Sequence, residues 1–133
     1  MSQLKFSRAL RLLTPADFKQ VFDDASLRVS CKEILILARP NRFDHPRLGI
    51  VVAKKNVRRA VQRNRAKRQI RDSFRLHQSD LICSAGTDAG STGLDAVVLA
   101  RGGLDRLDNP ALRTQLEQLW RQLQRKARKQ ATG

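Results

Sequence analysis

Residues 48–77 read LGIVVAKKNVRRAVQRNRAKRQIRDSFRLH and join two segments of opposite character. The first six residues are apolar, with Ile and Val predominating, which is typical of a buried strand. The rest is dominated by arginine and lysine, and Asn56 can cap a helix that runs from Val57 to about His77. A buried strand that leads into a long helix predicts a sheet with helices packed against it.

The segments on either side of this stretch complete the sheet and its helices. A helix begins at Thr14-Pro15, where threonine can cap and proline suits the first helical position, and ends near Asp24-Ala25. The apolar residues within 27–38 indicate one bent strand or two, and residues 96–100 form a further buried strand. Asn109-Pro110 caps a last helix. Its apolar stripe is predicted to lie in the core and consists of Leu112, Leu116, Leu119, Trp120, Leu123 and Ala127.

The predicted order is α-β-β-α-β-α. This is an α/β fold in which a single mixed sheet and its packed helices form a two-layer α-β sandwich. With 133 residues, the chain is predicted to form a single domain over residues 1–133. Residues 1–13 and 129–133 are expected to be flexible ends, and the Gly-, Ser- and Thr-rich segment 84–93 is expected to be a flexible loop.

The positive charge of the chain is concentrated in two segments. The formal net charge is +15, and residues 54–75 contribute +9 because ten arginines and lysines stand against one acid, Asp72. Residues 121–133 contribute +5, which leaves +1 for the rest of the chain. A chain with this charge attracts polyanions, so the expected partner is a nucleic acid, an acidic protein or an anionic membrane.

Five of these cations recur at every fourth residue, as Arg59, Arg63, Lys67, Arg71 and Arg75. On a helix that spacing forms one positive ridge, in which each like-charge pair costs about 0.2–0.5 kcal/mol. On a solvated charged face the side chains usually alternate between positive and negative charge, which these do not. A membrane-surface helix would need a wide apolar face, which this stretch lacks. Arginine outnumbers lysine here, and its planar fork pairs with phosphate and stacks on bases, which favours a nucleic acid.

Other features argue against several classes of protein. Cys31 and Cys83 are separated by 51 residues, which fits neither a zinc site nor a disulfide framework, so we expect two small apolar residues in a reducing cytoplasm. No apolar run approaches the ~18 residues that span a membrane, and residues 1–5 lack the apolar stretch of a signal peptide, so we expect a cytoplasmic protein. The carboxylates are scattered rather than gathered as in a metal-dependent nuclease, so the protein alone is not expected to be catalytic.

The run KKNVRRAVQRNRAKRQIRDSFR, residues 54–75, resembles the RNR motif of the bacterial ribonuclease P protein component. The similarity extends over about residues 4–127 and includes FSRALRL at 6–12 and DFKQVF at 17–22. In this family the RNR helix and its neighbours bind the catalytic RNA. The resemblance implies that role for Lys54, Lys55, Asn56, Arg58, Arg59, Arg63, Asn64, Arg65, Lys67, Arg68 and Arg71.

The family also has a cleft between the first helix and the sheet, which holds the single-stranded 5′ leader of precursor tRNA. By resemblance, Phe18, Phe22 and Arg11 belong to this cleft, where stacking of bases on the rings would tolerate many leader sequences. The alternative for both rings is plain core packing. Members often carry an aromatic residue on the strand that faces the leader, whereas the strand at 33–37 offers aliphatic side chains there. The resemblance also implies a left-handed β-α-β crossover around the RNR helix.

The function that the resemblance implies is that of the protein subunit of ribonuclease P, a cytoplasmic endoribonuclease that removes the leader to give mature tRNA 5′ ends. The RNA subunit would carry out the hydrolysis with Mg²⁺ bound by RNA and substrate, and not by a protein site. The expected partners are the catalytic RNA and precursor tRNA, with no role for DNA or a membrane. Two other classes stay open, namely a nuclease that cuts RNA itself and a ribosomal protein or RNA chaperone without the leader cleft.

Overall fold

The computed structural model describes residues 15–41, 45–77, 82–84 and 91–132. Within these ranges the chain forms three α-helices, which are α1 (Pro15–Asp24), α2 (Ala60–His77) and α3 (Asn109–Thr132). The strands are β1 (Leu27–Ser30), β2 (Ile34–Pro40), β3 (Arg47–Val51), β4 (Ile82–Ser84) and β5 (Ser91–Ala100). A single turn of 3₁₀ helix at Leu104–Arg106 precedes α3. The apolar region 27–38 therefore contains two strands rather than one bent strand.

The sheet is mixed, and β5 lies in its interior. The strand order is β1-β2-β5-β3, and β4 pairs with the first residues of β5. β5 runs antiparallel to β2 and parallel to β3. Because α2 lies between β3 and β5 in the chain, these parallel neighbours are joined by a β-α-β crossover, whose left-handed sense stays a prediction. The α/β class and the mixed sheet with packed helices are confirmed.

The main core lies between one face of the sheet and the pair α2 and α3. All six positions of the predicted α3 stripe are buried there, which confirms the stripe. Trp120 packs edge-to-face on Phe74 of α2, with ring centroids 6.0 Å apart. Its indole Nε1–H donates to Ser73 Oγ at 2.8 Å, so the polar atom of this large buried side chain is satisfied. This packing determines which side of α2 faces away from the sheet.

The opposite face of the sheet is covered by α1. Neighbouring residues on a strand point to opposite faces, so Val97 lies away from the core that holds Ala96 and Val98. Val97 and Val21 of α1 form a second, smaller cluster, against which Phe18 and Leu37 pack. α1 is therefore held on the sheet by only a few apolar contacts.

A buried polar network reinforces this attachment near the start of α1. Asp95 of β5 accepts hydrogen bonds from Arg47 Nε (2.9 Å) and Nη2 (2.7 Å), and from Asn41 Nδ2 (2.8 Å). Arg47 Nη1 also lies 3.9 Å from Asp17 in the first turn of α1. The hydrogen bonds that Arg47 donates to Asp95 raise the pKa of Arg47 above its ordinary value, although burial opposes the shift. Arg47 thus remains cationic and connects β5, β3 and α1.

Both predicted cap assignments within the described residues are wrong. α2 begins at Ala60, three residues later than expected, and Asn56 does not cap it. Asn56 Nδ2 instead donates to the Ala100 carbonyl at 2.9 Å, which ties the turn before α2 to the end of β5. α3 is capped by Asp108, whose Oδ1 accepts the Ala111 N–H at 2.9 Å. Thr14 lies outside the described residues.

The segment predicted as a loop over 84–93 is shorter than expected. Ser84 ends β4 and pairs with Ser91, and Thr92 and Gly93 continue β5. Gly93 is required by close packing, because a Cβ there would lie 2.0 Å from the His45 carbonyl oxygen. Residues 85–90 and 1–13 lie outside the described residues, whereas 129–132 continue α3, and the flexibility of both ends stays a prediction. No helix in the described part of the chain is long and apolar enough to cross a membrane.

Candidate nucleic-acid interface

The side of α2 that faces away from the sheet is cationic. Ala66, Ile70 and Phe74 are buried, so the opposite side of the helix, with Asn64 and Arg68, is exposed. Lys54, Lys55, Arg58 and Arg59 are exposed in the turn before the helix. The exposed residues, together with Lys67 and Arg71, are called the α2 surface, which therefore consists of Lys54, Lys55, Arg58, Arg59, Asn64, Lys67, Arg68 and Arg71. A cavity of about 430 Å³ lies along it, lined by Val61, Asn64, Arg65, Lys67, Arg68, Gln69, Arg71 and Asn109.

Two arginines of the RNR motif make hydrogen bonds within the protein. Arg63 Nη1 donates to the carbonyls of Arg58 (2.7 Å) and Val57 (3.1 Å), which stabilises the turn before α2. Arg65 Nε donates to Gln62 Oε1 at 2.8 Å, and its Nη1 donates to Asn109 Oδ1 at 2.8 Å. The Arg65 side chain thus connects α2 to the start of α3. The spacing of the motif does not distinguish these two arginines from Arg68, because spacing alone does not show which side chains have acceptors within the fold, and Asn109 is 44 residues away from Arg65.

We expect Arg65 and Arg68 to respond differently to the same substitution. Arg65→Gln removes hydrogen bonds to Asn109 and Gln62, so the free energy of unfolding should fall by about 1–2 kcal/mol. Arg68→Gln removes only an exposed charge, so its free energy of unfolding should stay within about 0.5 kcal/mol of that of the parent chain. Urea denaturation of the two variants measures both effects. Equal losses in the two variants would contradict the structural role of Arg65.

An open cleft of about 800 Å³ lies between α1 and the β3 edge of the sheet. Its lining comes from Pro15, Phe18, Lys19, Phe22, Ile50, Val51, Val52 and Lys67. Phe18 is half-buried against the cluster of Val21 and Val97, whereas Phe22 is 44% exposed. The Asp23 carboxylate, which hydrogen-bonds the Lys19 ammonium at 2.7 Å, raises the pKa of Lys19 above its ordinary value. The cleft therefore has an apolar, aromatic floor with lysines at its rim.

The structure brings Phe18 and Phe22 together in this cleft, and their contact with a leader stays a prediction. Arg11, the third predicted cleft residue, lies outside the described residues. The sheet residues that line the cleft come from the end of β3 and the residue after it, and not from the strand at 33–37. Lys67 lines both the cleft and the cavity along α2. The two surfaces predicted from separate motifs are thus contiguous.

No group of three His, Cys, Asp or Glu side chains among residues 15–41, 45–77, 82–84 and 91–132 is arranged to hold a metal ion. Cys31 has a free thiol and is half-buried, and its Sγ lies 3.8 Å from Glu33 Oε1. The side chain of Cys83 is not among the described ones. The groups that the described surfaces expose are the cations of α2 and the aromatic rings of the cleft.

The fold is a mixed α/β sandwich that carries a cationic helix in its crossover beside an aromatic cleft, which is the arrangement of a basic α/β protein. Comparison with known families identifies which one. The family model described as Ribonuclease P matches residues 6–124. The chain therefore belongs to the ribonuclease P protein family, whose members act in tRNA processing.

Individual relatives agree with this family. The Ribonuclease P protein component of Pseudomonas putida strain GB-1 is 52% identical over 120 residues, which cover 90% of this chain and 82% of the relative. That of Chromohalobacter salexigens is 48% identical over 133 residues, covering 100% and 96%. Among solved structures, the RNase P protein of Staphylococcus aureus superposes with a TM-score of 0.71 at 29% identity, covering 86% of this chain and 94% of that one. The protein from Thermotoga maritima gives 0.66 at 32% identity, covering 86% and 96%.

Proposed function

We propose that this chain is the protein subunit of a ribonuclease P, that it binds the catalytic RNA through the α2 surface, and that it holds the 5′ leader of precursor tRNA in the cleft. The observation that carries the proposal is the position of Lys67, which lines both the cavity along α2 and the cleft. A leader in the cleft would therefore lie beside the RNA bound to α2. Membership of the ribonuclease P protein family supports both partners.

The α2 surface is suited to an RNA backbone because its charges have so few acidic neighbours in sequence. Asp72 is the one acid among residues 54–75. Bound phosphates would turn the repulsion along the helix into attraction and release condensed counterions. The inward hydrogen bonds of Arg63 and Arg65 fix the turn before α2 and the junction with α3, so they hold the exposed cations in place. We assign direct phosphate contacts first to Arg58, Arg59, Lys67, Arg68 and Arg71.

The cleft is suited to single-stranded RNA. Aromatic rings stack on any base, because every base has a flat π-face, so one cleft can serve leaders of different sequence. Phe22 offers an exposed ring, and Lys19 and Lys67 provide cations for the phosphates on either side. A stem would present its bases already paired and stacked, and would gain less from these rings. The geometry thus favours an unpaired segment.

The chemical step belongs to the RNA subunit in this proposal. Mg²⁺ would be held by the RNA and the substrate and would supply charge neutralisation and an activated water there. This chain would screen phosphate repulsion between the two RNAs and position the leader. The cytoplasm is the proposed location, since that is where precursor tRNA would be met.

Reconstitution with the cognate catalytic RNA tests the proposal. In Mg²⁺ the RNA-free protein should leave precursor tRNA intact, whereas adding it to the catalytic RNA at low Mg²⁺ should stimulate cleavage at the mature 5′ end, because the protein's cations relieve the repulsion between RNAs. The measurement is the single-turnover rate with and without protein. Cleavage by the RNA-free protein would assign the chemistry to this chain, and an absence of stimulation would favour a ribosomal protein or RNA chaperone.

A further inference from the structure

The cationic spacing of α2 occurs a second time, near the end of α3. Arg121, Arg125 and Lys129 are each four residues apart, and Arg128 lies three residues after Arg125. All four are exposed, because the apolar stripe that includes Trp120 and Leu123 turns the other side of the helix into the core. We call these four residues the α3 strip. Glu117 pairs with Arg121 at 2.7 Å, and residues 118–133 contain no Asp or Glu.

Favourable interaction with the helix dipole does not account for the α3 strip. Cations stabilise a helix C-terminus, but the effect is confined to about the last turn. α3 ends at Thr132, so Arg121 and Arg125 lie about two to three turns before that end. Their spacing places like charges next to each other, which costs about 0.2–0.5 kcal/mol per pair, as on α2. Like charges at this spacing repel one another, and a bound polyanion would reverse the sign of that interaction.

Contacts within the fold place the α3 strip far from the cleft. Lys126, within the same turns of α3, donates from Nζ to the Arg28 carbonyl of β1 at 2.6 Å. β1 and β3 are the first and last strands in the order β1-β2-β5-β3, and the cleft lies at β3. Three strand spacings separate these edges, which is about 14 Å. α3 lies beside α2 on the same face of the sheet, so the α2 surface and the α3 strip belong to one side of the molecule.

We propose that the α3 strip is a second RNA contact, which binds the phosphate backbone of a helical stem of the catalytic RNA rather than precursor tRNA. This inference rests on the proposed function, because it takes the partner of α2 to be that RNA. From Arg121 to Lys129 the strip is about 12 Å long, which spans several phosphates of a duplex. Such a length gives charge contact without base readout. Two contacts on neighbouring helices would fix the orientation of the protein on the RNA, which one helix alone would leave free to rotate.

The test compares glutamine variants that remove charges from the α3 strip with a glutamine variant elsewhere on the surface. Arg125→Gln and the double variant Arg125→Gln/Lys129→Gln remove strip charges, and glutamine keeps the helix propensity. Lys32→Gln is the control, because Lys32 is exposed in the turn between β1 and β2. In this turn the Glu33 carbonyl accepts a hydrogen bond from the Arg101 N–H, at the end of the sheet that lies away from the end of α3. The measurements are affinity for the catalytic RNA over a salt series, affinity of the assembled holoenzyme for precursor tRNA, and thermal unfolding.

We expect the double variant to bind the catalytic RNA about 5- to 20-fold more weakly, with a salt dependence lower by about one to two phosphate contacts. The Lys32→Gln variant should match the parent chain, and the unfolding temperature of the Arg125→Gln variant should be unchanged or slightly raised. Affinity and salt slope equal to those of the Lys32 variant would overturn the inference. So would a loss confined to precursor tRNA. Arg68→Gln tests the α2 surface separately. If this variant loses affinity for the catalytic RNA and the α3 variants do not, this inference alone is refuted. If neither loses affinity for the catalytic RNA, the proposed function is refuted.

Discussion

Phe22→Ala should weaken binding of precursor tRNA that carries a leader by about 1–3 kcal/mol, which is roughly 5- to 150-fold, if the ring stacks on a leader base. Binding of mature tRNA and assembly with the catalytic RNA should be nearly unchanged. The reason is the 44% exposure of Phe22 at the cleft, which makes its ring available to a ligand and leaves it few contacts to lose in the fold. The measurement is the holoenzyme affinity for tRNA with and without a leader.

Phe18→Ala should affect both leader binding and stability, because Phe18 lines the cleft and also packs within the fold. Its half-buried ring packs on the cluster of Val21 and Val97, so truncation should lower the free energy of unfolding, by less than the about 3–5 kcal/mol of a fully buried phenylalanine. Leu76→Ala is a matched control, because Leu76 is 61% exposed on α2 and is not part of the cleft. It should affect neither leader binding nor stability. If Phe22→Ala reduced affinity for both tRNAs equally, or behaved like Leu76→Ala, the cleft would not be the leader site.

Arg47→Met should destabilise the protein by about 3–5 kcal/mol, which is the largest effect on stability that we expect from one charged residue. Asp95 is 2% exposed and accepts two hydrogen bonds from Arg47, so the variant leaves a buried carboxylate without its cation. The same change removes the contact of Arg47 with Asp17 and should loosen the start of α1. Urea denaturation at constant pH measures the loss.

A double-mutant cycle isolates the charge pair. Asp95→Asn removes the second charge but keeps an oxygen that can accept from Asn41 Nδ2. The combination Arg47→Met/Asp95→Asn should therefore be more stable than Arg47→Met alone, since no buried charge remains unpaired. Additive losses in the cycle would show that the pair is not coupled. A loss below about 1 kcal/mol for Arg47→Met would mean that water reaches Asp95 in solution.

The parts of the fold that were predicted correctly are those that local pattern determines. The stripe from Leu112 to Ala127 lies in the core because apolar residues at helical spacing have only one way to become buried. The start of β5 was missed because Ser91, Thr92 and Gly93 have a loop composition. Pairing with β4 makes them a strand. Composition alone cannot reveal a partner strand that is itself only three residues long.

The candidate site shows the same division between local and distant effects. The cations of α2 and the two phenylalanines of α1 could be assigned to surfaces from spacing and resemblance. The roles of Arg65 and Asn56 could not, because their acceptors, Asn109 and the Ala100 carbonyl, are each 44 residues away. The network of Asn41, Arg47 and Asp95 was missed for the same reason, since its members belong to different strands and turns. A single sequence gives no sign of such pairs.

The position of β5 in the sheet has a consequence for how the protein folds on the ribosome. Among the described residues, β5 is the only strand partner of β3 and of β4, and it is the second partner of β2. A nascent chain that has not yet exposed residues 91–100 can form the β1–β2 hairpin, but it has no sheet on which α2 can pack. The basic segment 54–75 thus leaves the exit tunnel well before its scaffold, within reach of ribosomal RNA. Residues 60–77 can therefore pack in their final position only after β5 has been synthesised.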